Sequence, residues 1–306
     1  MEDKRLWMVY LFVLMIFLSG EHKGGEATLP PIDPQVIIAG LKHTESLLQT
    51  GKCRIHYQGY SKLASLKEEH EDIFAFDSYR IYRLSLSGLI LNGKYVGGKD
   101  VRELYDSKTQ TKFAIGKKVR GEIPVRIDRG INSPFNHSWD PRNYGMRISD
   151  IPSIPLSELL QKNGAKIIRV ERIRRGRREI PCYLVETREK VWGKVRLWLD
   201  PNRGFLPFKI QMGDSWIMNI TYKPYKAEGQ VVWFLKKGIW WSEDKNGEVV
   251  ERRVMEVKEF QPNVDISDLF RVDLPPDTPV WDSNLSKYRP FKEIAQELKE
   301  IGLITE

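Results

Sequence analysis

Residues 194–222 read KVRLWLDPNRGFLPFKIQMGDSWIMNITY. Val195, Leu197 and Leu199 alternate with Arg196 and Trp198, and Asp200-Pro201-Asn202-Arg203-Gly204 is a cluster of turn residues. Phe208, Ile210 and Met212 then alternate with Lys209 and Gln211. Gly213-Asp214 turns the chain again, and Trp216, Met218, Ile220 and Tyr222 share one face of the next segment. A period of two, broken by turn residues, predicts consecutive antiparallel strands. Trp198 stands opposite Leu197 and Leu199, so its strand is apolar on both faces.

The same pattern extends in both directions. Toward the C-terminus it continues through Val231–Lys236, Ile239–Ser242 and Val249–Phe260, with Asn246-Gly247 as a hairpin turn. Toward the N-terminus, Lys166–Ile173 leads into a turn at Arg174-Arg175-Gly176, and Glu179–Thr187 returns. An earlier array begins where Cys53, Ile55 and Tyr57 alternate with Arg54, His56 and Gln58. Strand-like runs follow at Asp72–Phe76, Tyr79–Leu86, Leu89–Tyr95, Val101–Tyr105 and Thr111–Ile115. Residues 117–164 are rich in Pro, Asn, Gly and charge, with a short helix at Pro155–Gln161. They read as a connection or insertion between two strand arrays.

Helices flank the strands. Asp33 is an N-cap and Pro34 a first helical residue; Ile37, Ile38, Leu41, Leu47 and Leu48 recur at helical spacing, and Gly51 reads as the stop. Pro290–Ile301 is a second amphipathic helix, either a docked tail or a partner-binding element.

Hydrophobic residues at 41% supply a sizeable core, which excludes disorder for most of the 306 residues. The nine Trp suit half-buried sheet surfaces and apolar pockets. Lys4 and Arg5 precede an apolar run from Leu6 to Leu18, then Ser19, Gly20 and polar residues to Ala27, the order of a secretory signal. The run is shorter than the roughly 20 residues that span a bilayer, and an uncleaved signal anchor is the other reading. Residues 1–27 are therefore assigned to the signal, 28–285 to the sheet domain and 286–306 to a C-terminal helical tail. The formal charge of +8 favours anionic partners, but export removes nucleic acid from the candidates.

Three segments resemble the LolA-like family of periplasmic lipoprotein carriers, which includes LolB and the RseB sensor domain. They are Gly97–Asp106, Lys194–Pro207 and the closing Asp265–Asp277 with Val280 and Asp282 after it. The likeness spans roughly residues 34–282. It implies an α+β fold: an incomplete antiparallel barrel, strongly curved, with helices covering its open, concave side. It also implies an apolar cavity for acyl chains, a periplasmic location and a part in outer-membrane lipoprotein sorting. The carriers' Arg-Pro pair is missing here, because Phe76-Asp77-Ser78-Tyr79-Arg80 occupies that region.

With that frame, Trp198, Phe208, Trp216, Met218, Ile220 and Trp233 are the cavity-lining candidates, with plain core packing as the competing reading. The partners are the acyl chains of a lipid or lipoprotein, with inner- or outer-membrane envelope proteins as further candidates. Arg174, Arg175, Arg177 and Arg178 form either a solvated hairpin tip or a patch for anionic headgroups, where each basic side chain contributes about 1 kcal/mol. Cys53 and Cys182 leave two readings open, one disulfide or two buried thiols.

Catalysis has little to stand on. Five histidines are scattered, and Glu68-Glu69-His70-Glu71-Asp72 reads as a solvated turn, with no second His at ligand spacing. Asn136–Asp140 holds triad residue types contiguously, whereas triads assemble from distant positions. The expectation is a non-catalytic binding or carrier protein without cofactor or metal. The alternative is an envelope sensor or protein-interaction domain of RseB type.

Overall fold

The computed structural model describes residues 29–117, 123–130, 140–148, 154–175 and 178–305. The signal reading of residues 1–27 and the contiguous 136–139 run lie outside them.

Helix α1 (Pro34–Ser46) starts as its sequence dictates: the Asp33 carboxylate accepts the Gln35 amide at 2.7 Å and Pro34 opens the first turn. It ends before Leu47, and Gly51 opens strand β1 (Gly51–Ser61) instead of stopping the helix. Then come β2 (Leu66–Phe76), β3 (Arg80–Ser85), β4 (Leu89–Leu91), β5 (Lys94–Gly97), β6 (Arg102–Asp106), β7 (Thr111–Ile115) and β8 (Val125–Asp128). A two-stranded ribbon, β9 (Arg147–Ile148) and β10 (Ile154–Pro155), precedes α2 (Leu156–Asn163). Next are β11 (Lys166–Arg175), β12 (Arg178–Glu189), β13 (Gly193–Asp200), β14 (Leu206–Met212), β15 (Trp216–Ala227), β16 (Gln230–Glu243) and β17 (Val249–Pro262). The closing elements are β18 (Pro279–Asp282), β19 (Lys287–Pro290) and α3 (Phe291–Glu300).

The two expected arrays are one sheet. β1 pairs with β17 on one side and β2 on the other, so the order runs β11 through β17, then β1, β2, β3, β6, β7, β8, β18 and β19. All these contacts are antiparallel except β8 with β18. The curved sheet does not close. Register shifts at Arg54/Ile55, Trp198/Leu199 and Thr221/Tyr222 are bulges of the kind that bend strands.

Other local readings change with it. Leu89–Tyr95 is not one strand: Asn92 and Gly93 take positive φ and fold it into the β4–β5 hairpin. Val231–Lys236 and Ile239–Ser242 are one strand, β16. The acidic run Glu68–Asp72 is not a turn but part of β2, where alternation carries His70 and Asp72 inward.

Helices lie on both faces. Ile37, Ile38 and Leu41 of α1 and Leu156, Leu159 and Leu160 of α2 join the main core with β1, β2 and β12–β17. Phe291, Ile294 and Leu298 of α3 join a second core with Phe113, Ile127 and Val280. Phe74 and Phe76 belong to the first core while Ala75 belongs to the second, so the cores occupy opposite faces of β2. The described part of 117–164 does more than connect: Tyr144, Met146 and Ile148 are buried in the main core.

Candidate functional site

Strand register draws one line across the main-core face. Cys53 opposes Phe74, Phe74 opposes Arg83, and the line continues through Glu103, Ala114, Arg126, Trp281 and Tyr288. Residues directly opposed in a ladder share a face. The line starts in the packed core at Cys53 and Phe74. Trp281 stands on it five strands from Phe74, about 24 Å at 4.8 Å per strand, and Tyr288 closes it on the next strand.

There the face carries a groove of about 910 Å³, lined chiefly by Val101, Ala114, Ile123, Pro124, Trp281 and Tyr288. The Trp281 and Tyr288 rings meet edge to face with centroids 5.1 Å apart. Tyr288 is 68% exposed, so its ring forms the rim. Arg126 supplies the charge at this site and is paired with Asp128 at 2.7 Å. The volume falls within the roughly 300–1,000 Å³ of small-molecule sites, and the apolar lining with a few polar groups is their usual chemistry.

Between core and groove lies a chain of buried charges. Arg83 Nε donates to Asp72 Oδ2 at 2.9 Å, and another of its nitrogens donates to Glu103 Oε2 at 3.0 Å. Lys112 also pairs with Glu103. His70 Nδ1 lies 2.9 Å from Asp72, and the His70 ring stacks on Tyr57 at 4.7 Å. Burial alone would raise the Asp72 carboxyl, but the hydrogen bond from His70 and the charge of Arg83 outweigh it and hold the group below its ordinary value. Buried pairs of this kind add little net stability compared with apolar packing, so they mark where the hydrocarbon core stops.

A second, smaller pocket of about 330 Å³ opens beside the end of α1. Leu48, Phe76, Met146 and Pro155 form its apolar wall, and Arg142 and Arg147 bring two guanidinium groups. Arg142 is held by Asp140 at 2.9 Å, donates to the Asp77 carbonyl at 2.9 Å and lies over the Phe76 ring at 4.5 Å. Burial, helped by the charge of Arg142, brings Arg147 down to about 10. Burial likewise raises Glu45, although the Ser157 amide and hydroxyl both donate to it.

The sequence-derived lining candidates divide. Trp198 and Phe208 sit in a small cluster with Cys182 and Leu184, while their neighbours Leu197, Leu199, Leu206 and Ile210 belong to the main core; the cluster is therefore on the other face. Trp198 Nε1 donates to Glu171 at 2.6 Å, and Lys209 lies over its ring at 4.4 Å. Met218 and Ile220 are buried in the main core, with Trp216 and Trp233 half-buried against it. Trp216 stacks on Trp240 at 4.1 Å, and Arg253 covers Trp240 at 4.5 Å.

Among the basic-tip candidates, Arg174 is exposed on β11, and the backbones of Arg175 and Arg178 oppose each other where the hairpin ends. Arg177, with the side chains of Arg175 and Arg178, lies outside the described residues. Cys53 and Cys182 are free buried thiols, one in the main core and one in the opposite-face cluster, so the disulfide reading does not hold. His43 is exposed on α1, and His56 Nε2 lies 2.8 Å from Glu69 on the sheet surface.

Trp281, Tyr288 and Arg147 were missed. The signal for Trp281 was present, because it alternates with Val280 and Asp282, both of which belong to the closing motif. Arg147 had none, since it stood in a stretch read as a connection.

No family model and no curated protein matches the sequence. Among solved structures, the chain is similar to a LolA superfamily protein from Nitrosomonas europaea, with 12% identity and a TM-score of 0.48 over 79% of this chain and 99% of its own. A putative outer membrane lipoprotein-sorting protein domain from Vibrio parahaemolyticus has 11% identity and a TM-score of 0.48, over 78% of this chain and 97% of that one. A DUF1329 family protein from Desulfovibrio piger has 11% identity and a TM-score of 0.43, over 78% and 97%. Among the described residues no helix is long and apolar enough to cross a membrane.

Proposed function

We propose that this is a non-catalytic binding or carrier protein of the cell envelope that holds acyl chains of a lipid or lipoprotein, with the Trp281–Tyr288 groove as their seat. The observation that carries this reading is the groove itself: about 910 Å³, mainly apolar, and on the sheet face that elsewhere forms the main core. An alkyl chain laid along it would gain roughly 25 cal/mol per Å² of apolar surface buried, without any catalytic group. Export through residues 1–27 would place the protein in the periplasm. Of the lining candidates read from the sequence, Met218 and Ile220 are buried in the main core and Trp216 and Trp233 are half-buried against it, which leaves the two tryptophans as the ones a ligand on this face could reach.

The test is lipid extraction and mass spectrometry of the mature protein purified from an envelope fraction, followed by titration with the fluorescent fatty acid cis-parinaric acid. Copurifying acyl lipids, and parinarate binding weakened at least tenfold by Trp281→Glu, are the expected results. A protein that carries no lipid and leaves parinarate unbound would remove the reading.

A further inference from the structure

The pocket beside α1 shares no lining residue with the groove and has a different chemistry. We infer that it binds the phosphate or carboxylate of a small amphiphile, with the Arg147 guanidinium as the anion's partner and the apolar wall receiving the attached hydrocarbon.

The argument is one of charge matching. Arg142 is already neutralised by Asp140. Asp77 accepts Arg80 Nε at 2.7 Å and the amides of Tyr79 and Arg80. Glu45 is engaged by Ser157. Glu158 is exposed in the first turn of α2. Among the described residues Arg147 makes no hydrogen bond and has no carboxylate within the 4.0 Å of an ion pair. Its half-buried guanidinium thus faces the cavity without a carboxylate partner among the described residues, on the β9–β10 ribbon where Arg147 pairs with Pro155. A guanidinium presents a planar fork of donors that fits two oxygens of a phosphate or carboxylate. The cavity of about 330 Å³ is at the small end of ligand sites. Leu48, Phe76 and Met146 line the side away from water, so the ligand is an anion with a short apolar portion.

Isothermal titration of the full mature protein with dihexanoylphosphatidic acid, inorganic phosphate and uncharged dihexanoylglycerol tests this. Phosphatidic acid should bind and dihexanoylglycerol should not. Arg147→Gln should weaken binding at least tenfold, the loss expected when a charge-assisted hydrogen-bonded pair is removed. Glu158→Gln, on an exposed position, should tighten it severalfold by removing a competing negative charge. If inorganic phosphate binds as well as phosphatidic acid, with the same dependence on Arg147, the anion is a free one; if the acyl groups are required, it is a headgroup. Should Arg147→Gln fail to fold, Glu158→Gln decides. Binding of dihexanoylglycerol equal to that of phosphatidic acid, or affinity unmoved in the folded variants, overturns the inference. Trp281→Glu should leave this binding intact, which separates its failure from that of the acyl-groove reading.

Discussion

The ring of Tyr144 occupies the place that a side chain on Gly238 would take: a Cβ built there would stand 1.9 Å from Tyr144 Cδ1. Gly238 is in the middle of β16, and its bare backbone opens the slot through which the 140–148 segment enters the main core. A Cβ built on Gly145, the residue after Tyr144, would likewise stand 2.0 Å from the Tyr222 hydroxyl, and its φ of +103° is one that glycine favours. Gly238→Ala should therefore cost about 1–3 kcal/mol, the usual range for overpacking a filled core. Urea unfolding followed by circular dichroism measures it, and an unchanged midpoint would mean the Tyr144 ring can move aside freely.

Trp198 and Trp281 should behave oppositely. Trp198 fills the cluster on the far face and is nearly fully buried, so Trp198→Ala should lose about 3 kcal/mol of stability and leave parinarate affinity unchanged. Trp281→Ala should weaken parinarate binding several-fold with a smaller stability loss, because its ring is only half-buried at the groove. Paired unfolding and binding curves for the two variants check both halves.

Asp282 ties the closing segment to α3. Its carboxylate is 0% exposed and accepts Arg129 at 2.9 Å and Arg289 at 3.2 Å, while Arg289 also reaches Glu297 on α3 at 2.6 Å. Burial alone would raise the Asp282 carboxyl, but hydrogen bonds from the two arginines outweigh it and hold it below its ordinary value. A depressed folded value means the unfolded chain binds the proton more readily. The contribution is present above the unfolded value of about 3.9 and is lost as pH falls through the lower folded one. Asp282→Asn should cost about 2–3 kcal/mol at pH 7. Its stability should also fall less steeply than the wild type's between pH 5 and pH 2, as urea midpoints across that range would record.

The cysteines should be chemically silent. Burial pushes Cys182 up to about 12 and Cys53 higher still, so neither forms a thiolate at neutral pH. Native protein treated with iodoacetamide at pH 8 should keep its mass, and denatured protein should gain two adducts without prior reduction. A non-reduced sample that takes up none after unfolding would show a disulfide and contradict the two-cluster placement.

Much of the fold was legible along the chain. Val195, Leu197 and Leu199 recur at every second position because they face the main core, as do Ile210 and Met212, and Asp33-Pro34 begins a helix through local hydrogen bonding alone. The double-sided apolarity around Trp198 was also readable, though not its meaning: the far face has a cluster of its own. The acidic run at Glu68–Asp72 misled because its counter-charge, Arg83, comes from the next strand.

By itself the sequence determined the strand and turn rhythm, the helix start and the apolar helix faces, since these depend on neighbours a few residues apart. Only the tertiary structure decided that β1 joins the two halves by pairing with both β17 and β2, and that α1 and α3 lie on opposite faces. It likewise placed Trp281 on the same line as Phe74. Those outcomes rest on register and on ion pairs such as Arg129–Asp282 between residues far apart in the chain, and no local pattern encodes which distant partner a strand or a charge will meet.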